Sequence, residues 1–273
     1  MAAIRFLNTA PLLWGLDREP RLQMFSTVPS ACADALAAGQ ADLGIIPVIE
    51  MARIPGLWAL PGVAVAARRQ VRSILLIMRT PPERIRSLAL DRSSRTSAAL
   101  AQILLRRRFG ADFKAVSASP DWRGMLASAD AGLLIGDPAL QLRLSGEAEA
   151  EGFGVLDLAT VWHEWTRLPF IFALWAVRAE SMPEPESEEA RWLAERFIRA
   201  REEGFEHLTA ICREWALRLN LPEHEIRHYL EHNLEHRLDA GHLEGLRHFL
   251  DLAATEGLIE QSRLPVFIRA PKP

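Results

Sequence analysis

The constraint that governs this chain is an alternation: short apolar runs, each closed by polar or proline punctuation, separated by segments with helical patterning. Runs at 4–7, 23–28, 42–47, 63–67 and 73–78 read as strands, as do 87–90, 113–116, 130–135 and 170–177. Between several of them, 12–16, 30–38, 98–109 and 122–127 carry helical periodicity, and a short helix is expected after Pro138. Alternating strands and helices imply an α/β fold. The segments Asp42-Leu43-Gly44 and Asp130-Ala131-Gly132 each precede an apolar run and share one pattern. After a linker at 182–185 the composition becomes charged and strongly helical, with about four helices and a proline-flanked exit. The 273 residues are comfortable for two lobes. Two alternating units with a helical tail returning to the first suggest lobes joined by crossing strands, and the cleft between lobes is the default ligand site.

Composition narrows the function classes. The chain is 49% apolar and 25% charged with a net charge of −3, which offers no electrostatic case for nucleic acid or an anionic membrane. Cys32 and Cys212 form neither a metal-like spacing nor a disulfide framework, so a reducing compartment is expected. The N-terminus turns polar within a few residues and lacks a secretory apolar region. No apolar run approaches the ~20 residues of a membrane span. These features together predict a cytoplasmic protein that partners neither nucleic acid nor membrane.

One motif matches a metal site formally. His224-Glu225-Ile226-Arg227-His228 has the H-E-x-x-H pattern of zinc peptidases. At about 100° per residue, however, Ile226, Leu230 and Leu234 share the apolar face and the histidines fall opposite it. His224, His228, His232 and His236 therefore read as a solvated stripe in a charged segment, and no metal ligand is assigned.

The polar chemistry gathers at strand ends, where α/β proteins bind ligands. Asp91-Arg92-Ser93-Ser94-Arg95-Thr96-Ser97 lies between the run at 87–90 and the helix from 98. Its hydroxyls and guanidinium groups sit where unpaired helix N–H groups and the positive end of the dipole point outward, a setting for a carboxylate or phosphate. A capped helix with solvated arginines explains the same residues. Asn8 after the first strand, Ser30 at a helix start, Ser73 before the run at 74–78, and Glu50 and Asp137 after strand ends complete the candidates. Thr166 and Trp165, in an aromatic stretch, are candidates to line the cleft. A Ser-His-Asp signature, a glycine-rich phosphate loop and a Cys/His cluster are all missing, so hydroxyls, an amide and arginines point to a small anionic organic ligand.

Taken in order, these segments resemble the chorismate dehydratases of menaquinone biosynthesis by the futalosine route. The resemblance rests on Phe6-Leu7-Asn8-Thr9-Ala10-Pro11-Leu12, Val28-Pro29-Ser30 and Asp42-Leu43-Gly44-Ile45-Ile46-Pro47-Val48-Ile49-Glu50. It continues through Val71-Arg72-Ser73, Ala89-Leu90-Asp91 with Ser94-Arg95-Thr96-Ser97, and Leu134-Ile135-Gly136-Asp137, and closes with Thr166, Leu168-Pro169-Phe170 and Ala173-Leu174-Trp175. It covers residues 4 to about 178. The tail is similar only in general character. Arg92 and Arg167 depart from the pattern, which has a small polar residue and a glycine there. The related dihydroxynaphthoate-forming lyases share the fold but carry a Cys-Pro-Asn-Asp type turn after the first strand, against which Asn8-Thr9-Ala10-Pro11 argues.

The resemblance implies a two-lobed fold like type II periplasmic binding proteins, with a helical C-terminal segment: lobe one 1–86 plus 178–273, lobe two 87–177. It implies conversion of chorismate to 3-[(1-carboxyvinyl)oxy]benzoate and water, with no redox or metal cofactor, because aromatisation drives the reaction. Asn8 and Ser73 are then the catalytic candidates, and Ser30, Glu50, Ser94, Arg95, Thr96, Ser97, Gly136, Asp137 and Thr166 the substrate-binding ones. Glu50 and Asp137 are also candidate bases, set against proton transfer to the substrate's own enolpyruvyl carboxylate. A cytosolic small-anion binding or sensor protein is the competing reading, because this fold is mainly a binding fold.

Overall fold

The computed structural model describes residues 1–182 and 184–269. Pro183 of the expected linker and the end of the proline-flanked exit, 270–273, lie outside the described residues. The first lobe opens with strand β1 (Ala2–Ile4), a 3-10 segment (Leu7–Leu13), β2 (Phe25–Thr27), helix α1 (Pro29–Ala37), β3 (Leu43–Pro47), the short α2 (Glu50–Arg53) and β4 (Leu57–Ala67). The second contains β5 (Ile74–Met78), β6 (Ser87–Asp91), α3 (Thr96–Ile103), β7 (Lys114–Ala118), α4 (Trp122–Ser128), β8 (Ala131–Ile135), α5 (Gly136–Ser145), α6 (Glu147–Ala150), β9 (Gly154–Asp157) and α7 (Leu158–Thr166). The chain returns through β10 (Phe170–Arg178) to a helical segment, α8 (Glu188–Glu206), α9 (Leu208–Leu219), α10 (Glu223–His228) and α11 (Ala240–Thr255), and ends on β11 (Val266–Phe267).

The two sheets repeat one plan. The first has the order β11-β4-β10-β3-β1-β2 and the second β7-β6-β8-β5-β9. In each, the strand that has crossed from the other lobe runs antiparallel to both neighbours: β10 between β3 and β4, β5 between β8 and β9. The crossings fall earlier than the expected boundaries at 86/87 and 177/178. Ile74–Met78 is hydrogen-bonded in the second sheet and Phe170–Arg178 in the first, so the chain crosses between Ala67 and Ile74 and again between α7 and Phe170. Each strand that leaves a lobe is read in sequence with the lobe it departs, whereas pairing places it in the lobe it enters.

The shared Asp-x-Gly pattern has a structural cause. Gly44 and Gly132 both lie on the wholly buried third strand of their sheets, β3 and β8. A Cβ at Gly44 would lie 2.8 Å from Leu36 of α1, and one at Gly132 would lie 2.8 Å from Met125 of α4. The missing side chain lets the preceding helix close onto its strand, the usual reason for glycine in a strand that another element approaches. The first sheet and one face of the second share a core, to which the tail adds Phe197, Trp215, Tyr229 and Phe249, while the other face of the second sheet packs Leu75, Ile77 and Leu134 against Leu126 and Leu142 in a cluster of its own.

The tail corrects one sequence expectation. Helix α10 runs into a π-helical turn, Tyr229–Asn233, after which the chain is extended at Leu234 and Glu235 bridges to Ala66. Helical periodicity therefore stops before the fourth histidine. His224, His228 and His232 are exposed, but His236 is buried.

Candidate functional site

A narrow cavity of about 60 Å³ lies where the two sheets meet. Its polar rim is Asn8 and Thr9 from the segment after β1, and Ser94, Arg95, Thr96 and Ser97 at the start of α3, with Gly136 at the start of α5. Its apolar walls include Phe6, Pro29, Pro47, Ile74, Ile135 and Phe172. A larger hollow of about 960 Å³ between α8 and 234–239 is lined by groups already paired with one another, among them Arg68 with Glu235 and Asp239. The strand-end cavity instead brings the Asn8 amide together with the hydroxyls at the start of α3.

The 91–97 segment does not form the side-chain-capped helix that one of its two readings expects. Asp91 closes a tight turn, accepting from Ser93 N at 2.9 Å and Ser93 Oγ at 2.7 Å. The N-cap position falls on Arg95, and no side chain closes the helix. Ser94, Thr96 and Ser97 are buried beside the first turn without capping it. Backbone N–H groups in a first turn have no intrahelical acceptor. The site thus presents hydroxyls, amides and the dipole's positive end together.

Five polar contacts tie the lobes around this cavity. Thr96 Oγ1 accepts from Ile49 N at 3.3 Å, and Ser93 O accepts from Ser30 N at 3.2 Å. The Arg95 guanidinium pairs with Glu50 at 3.0 Å and Asp34 at 2.6 Å. Asp137 Oδ1 accepts from Leu7 N at 3.0 Å. Burial pushes the Asp137 carboxyl up to about 6, with the Leu7 amide and Arg218 opposing that rise.

The structure thus separates the predicted residues. Asn8, Ser94, Arg95, Thr96, Ser97 and Gly136 come together on the cavity. Gly136 has φ +70° and a Cβ there would lie 2.9 Å from Phe6, so only glycine fits this corner without strain. Ser30 and Asp137 act across the lobe junction, and Ser73 is buried just outside the cavity lining, next to Ile74, with its carbonyl accepting from Gly136 N. Glu50, read as a candidate base, is buried between Arg53 at 2.7 Å and Arg95 and lies off the cavity lining, because α2 turns it toward those guanidinium groups. Thr166 is occupied in ending α7, donating to Trp162 O at 2.8 Å and accepting from Leu168 N at 3.2 Å. Trp165 packs against Trp162 and His248 instead of the cleft. Arg92 is exposed and donates to Ser119.

Two residues of the tail reach the site from behind, and neither was legible in the sequence. Tyr229 OH donates to Ser73 Oγ at 2.7 Å, both groups buried. His236 Nε2 lies 2.8 Å from Asn8 O. Since a carbonyl only accepts, Nε2 carries the proton. Burial pushes the imidazole down to about 4, so the ring stays neutral near pH 7 and holds the Asn8 backbone as a donor. The Asn8 side-chain oxygen is buried and has no hydrogen-bond partner among the described residues.

A family model described as menaquinone biosynthesis matches residues 1–255. The chain belongs to this menaquinone-biosynthesis family. It is 29% identical over 244 residues to the chorismate dehydratase of Thermus thermophilus, covering 83% of this chain and 84% of that protein. It is also 29% identical over 177 residues to the chorismate dehydratase of Campylobacter jejuni, covering 62% and 63%. Among solved structures, a protein of Archaeoglobus fulgidus superposes with a TM-score of 0.73 at 17% identity, covering 94% of this chain and 97% of that one. The periplasmic aliphatic sulphonate binding protein of Escherichia coli superposes at 0.60 with 16% identity, covering 100% and 94%. The family member therefore has a two-lobed periplasmic-binding-protein-like fold, with its cavity at the junction of the lobes. Among the described residues, no helix is long and apolar enough to cross a membrane.

Proposed function

We propose that this protein is a carbon–oxygen lyase that dehydrates chorismate to 3-[(1-carboxyvinyl)oxy]benzoate for menaquinone synthesis. Family membership and the named relatives support the reaction. The observation that carries it is the start of α3, where Ser94, Thr96 and Ser97 leave their own helix uncapped and line the cavity opposite Asn8. That arrangement suits a carboxylate. Arg95 contributes position more than net charge, since Glu50 and Asp34 already neutralise it.

Chorismate carries its C3 hydrogen in conjugation, through the ring, with the C1 carboxylate. Fixed donors around that carboxylate stabilise the charge that develops as the C3 proton leaves. The C3–H electron pair becomes a ring bond, C4–O breaks with its pair, and the aromatic ring forms. The cavity is lined by hydroxyls, an amide, a guanidinium and apolar groups; the carboxylates of Glu50 and Asp137 are engaged off its surface. This supports the enolpyruvyl carboxylate of the substrate as the proton acceptor, with the protein supplying orientation. Asn8 and Ser73 are the residues we assign to the reacting carbon and the departing hydroxyl. Free, buried Cys32 and Cys212 support a cytoplasmic setting.

The test is incubation of substoichiometric purified protein with chorismate, following the aromatic enolpyruvyl ether by chromatography. Many turnovers per molecule are expected. Tight binding of chorismate without product would establish the small-anion binding protein instead.

A further inference from the structure

We propose that Tyr229, delivered by the C-terminal helical segment, is a positioning residue that turns Ser73 into a hydrogen-bond donor toward the departing hydroxyl. This rests on the dehydration reading above and assigns the tail a part in it. The tyrosine hydroxyl donates to Ser73 Oγ at 2.7 Å, and both residues are only 1% exposed. With its oxygen accepting from Tyr229, the serine's own proton is directed elsewhere. The cavity begins beside it: Ile74, the next residue, and Gly136, whose N–H donates to Ser73 O at 2.8 Å, both line the cavity.

The backbone before Ser73 is held unusually firmly. Arg72 has φ +62°, a conformation that L residues adopt rarely. Asp157 enforces it, accepting from Arg72 N at 2.5 Å and from Val71 N at 3.1 Å while also capping α7. The tail adds a second grip through Arg72 to Glu225 at 3.0 Å. Ser73 is therefore fixed in main chain by lobe two and in side chain by the tail. Burial raises the Tyr229 hydroxyl far above its ordinary range, so it remains protonated and remains a donor.

The chemical gain is cooperative. A hydroxyl that accepts one hydrogen bond donates a stronger one. In the dehydration, the C4–O pair goes to oxygen, and the proton removed from C3 by the enolpyruvyl carboxylate completes the water molecule. Ser73 donates to that oxygen as charge grows on it and is not consumed. An interaction that strengthens only as the bond breaks appears in kcat and not in KM.

Tyr229 is the chain's single tyrosine, which makes the test unusually clean. Tyr229→Phe keeps the ring and removes the donor. A fall in kcat of roughly 10- to 100-fold is expected, with KM within about twofold. In the Ser73→Ala background the same substitution should cost nothing further, because the two groups act as one unit. Growth on 3-fluorotyrosine labels this position alone, and its 19F resonance should shift on adding chorismate and again in Ser73→Ala. Unchanged kcat in a folded Tyr229→Phe, or losses that multiply with Ser73→Ala, overturns the proposal. If Tyr229→Phe does not fold, the labelled wild type decides: a 19F signal insensitive to chorismate overturns it. A wild type that makes no aromatic product overturns the dehydration reading first, and this inference with it.

Discussion

Arg167 ends α7 with φ +64°, the left-handed conformation in which helices favour glycine. The family resemblance implies a glycine at this position, and the backbone angle supplies the reason. Arg72 has a similar angle, but Asp157 and Glu225 hold it beside the site. Arg167 is exposed, and its backbone N–H makes only the ordinary closing bond to His163 O at 2.8 Å. A left-handed L residue costs about 1–2 kcal/mol, and glycine returns about half of that through its freer unfolded chain. Arg167→Gly should therefore stabilise the protein by about 0.5–1 kcal/mol, seen as a rise of roughly 1–4 °C in Tm at unchanged kcat/KM. A lower Tm would show that the arginine side chain holds something the backbone argument omits.

The start of α3 makes the element-scale case. Its hydroxyls differ in what they do besides meeting a ligand: Thr96 accepts from Ile49 across the junction, whereas Ser97 only faces the cavity. Losing one hydrogen bond to a charged group is worth about 1.5–3 kcal/mol. Ser97→Ala should then raise KM for chorismate by roughly tenfold or more while the protein's Tm stays within about 2 °C. Thr96→Val should raise KM and lower Tm together, and steady-state kinetics beside melting curves separates the two. The same segment shows what was readable in the sequence. Short apolar runs closed by polar residues located the strand ends, and hence Asn8, Ser94, Thr96, Ser97 and Gly136 on one cavity. Glu50 and Thr166 looked equivalent because a side chain's partners, Arg53 and Arg95 or the Trp162 carbonyl, are set by tertiary packing. Strand β9 and helix α7 were hidden because β9 is short and only its last residue is fully buried, and the aromatic run in α7 reads as core in any geometry. Tyr229 and His236 stand 156 and 228 residues from their partners, one opening and the other following a π-helical turn that breaks the helical period. No local pattern encodes such a contact.

At the scale of the whole molecule, the lobes are held together around a cavity too narrow for a diacid of chorismate's size, so substrate entry requires them to part. Asp137 makes the closed arrangement sensitive to charge. Its carboxyl sits at about 6 in this structure against 3.8 when solvated, chiefly because burial disfavours the anion. The folded, closed protein thus binds more protons than the open or unfolded chain between those values. The contribution is most favourable below about pH 4 and is lost as pH rises through about 6. At neutral pH the ionised carboxylate therefore works against closure while its bond to Leu7 N works for it. Asp137→Asn keeps an oxygen to accept from Leu7 and removes the ionisation. The variant should match wild-type Tm near pH 4, gain on it between pH 4 and 6, and exceed it by a constant margin of a few degrees above about pH 7. That margin corresponds to roughly 1–2 kcal/mol after allowing for partial exposure. Because the carboxylate lies off the cavity, the same variant should still turn chorismate over. Melting curves across pH 4–8, taken with the chorismate assay, read both outcomes. A Tm difference flat with pH would remove the closure argument, and a loss of turnover with binding intact would make Asp137 the base.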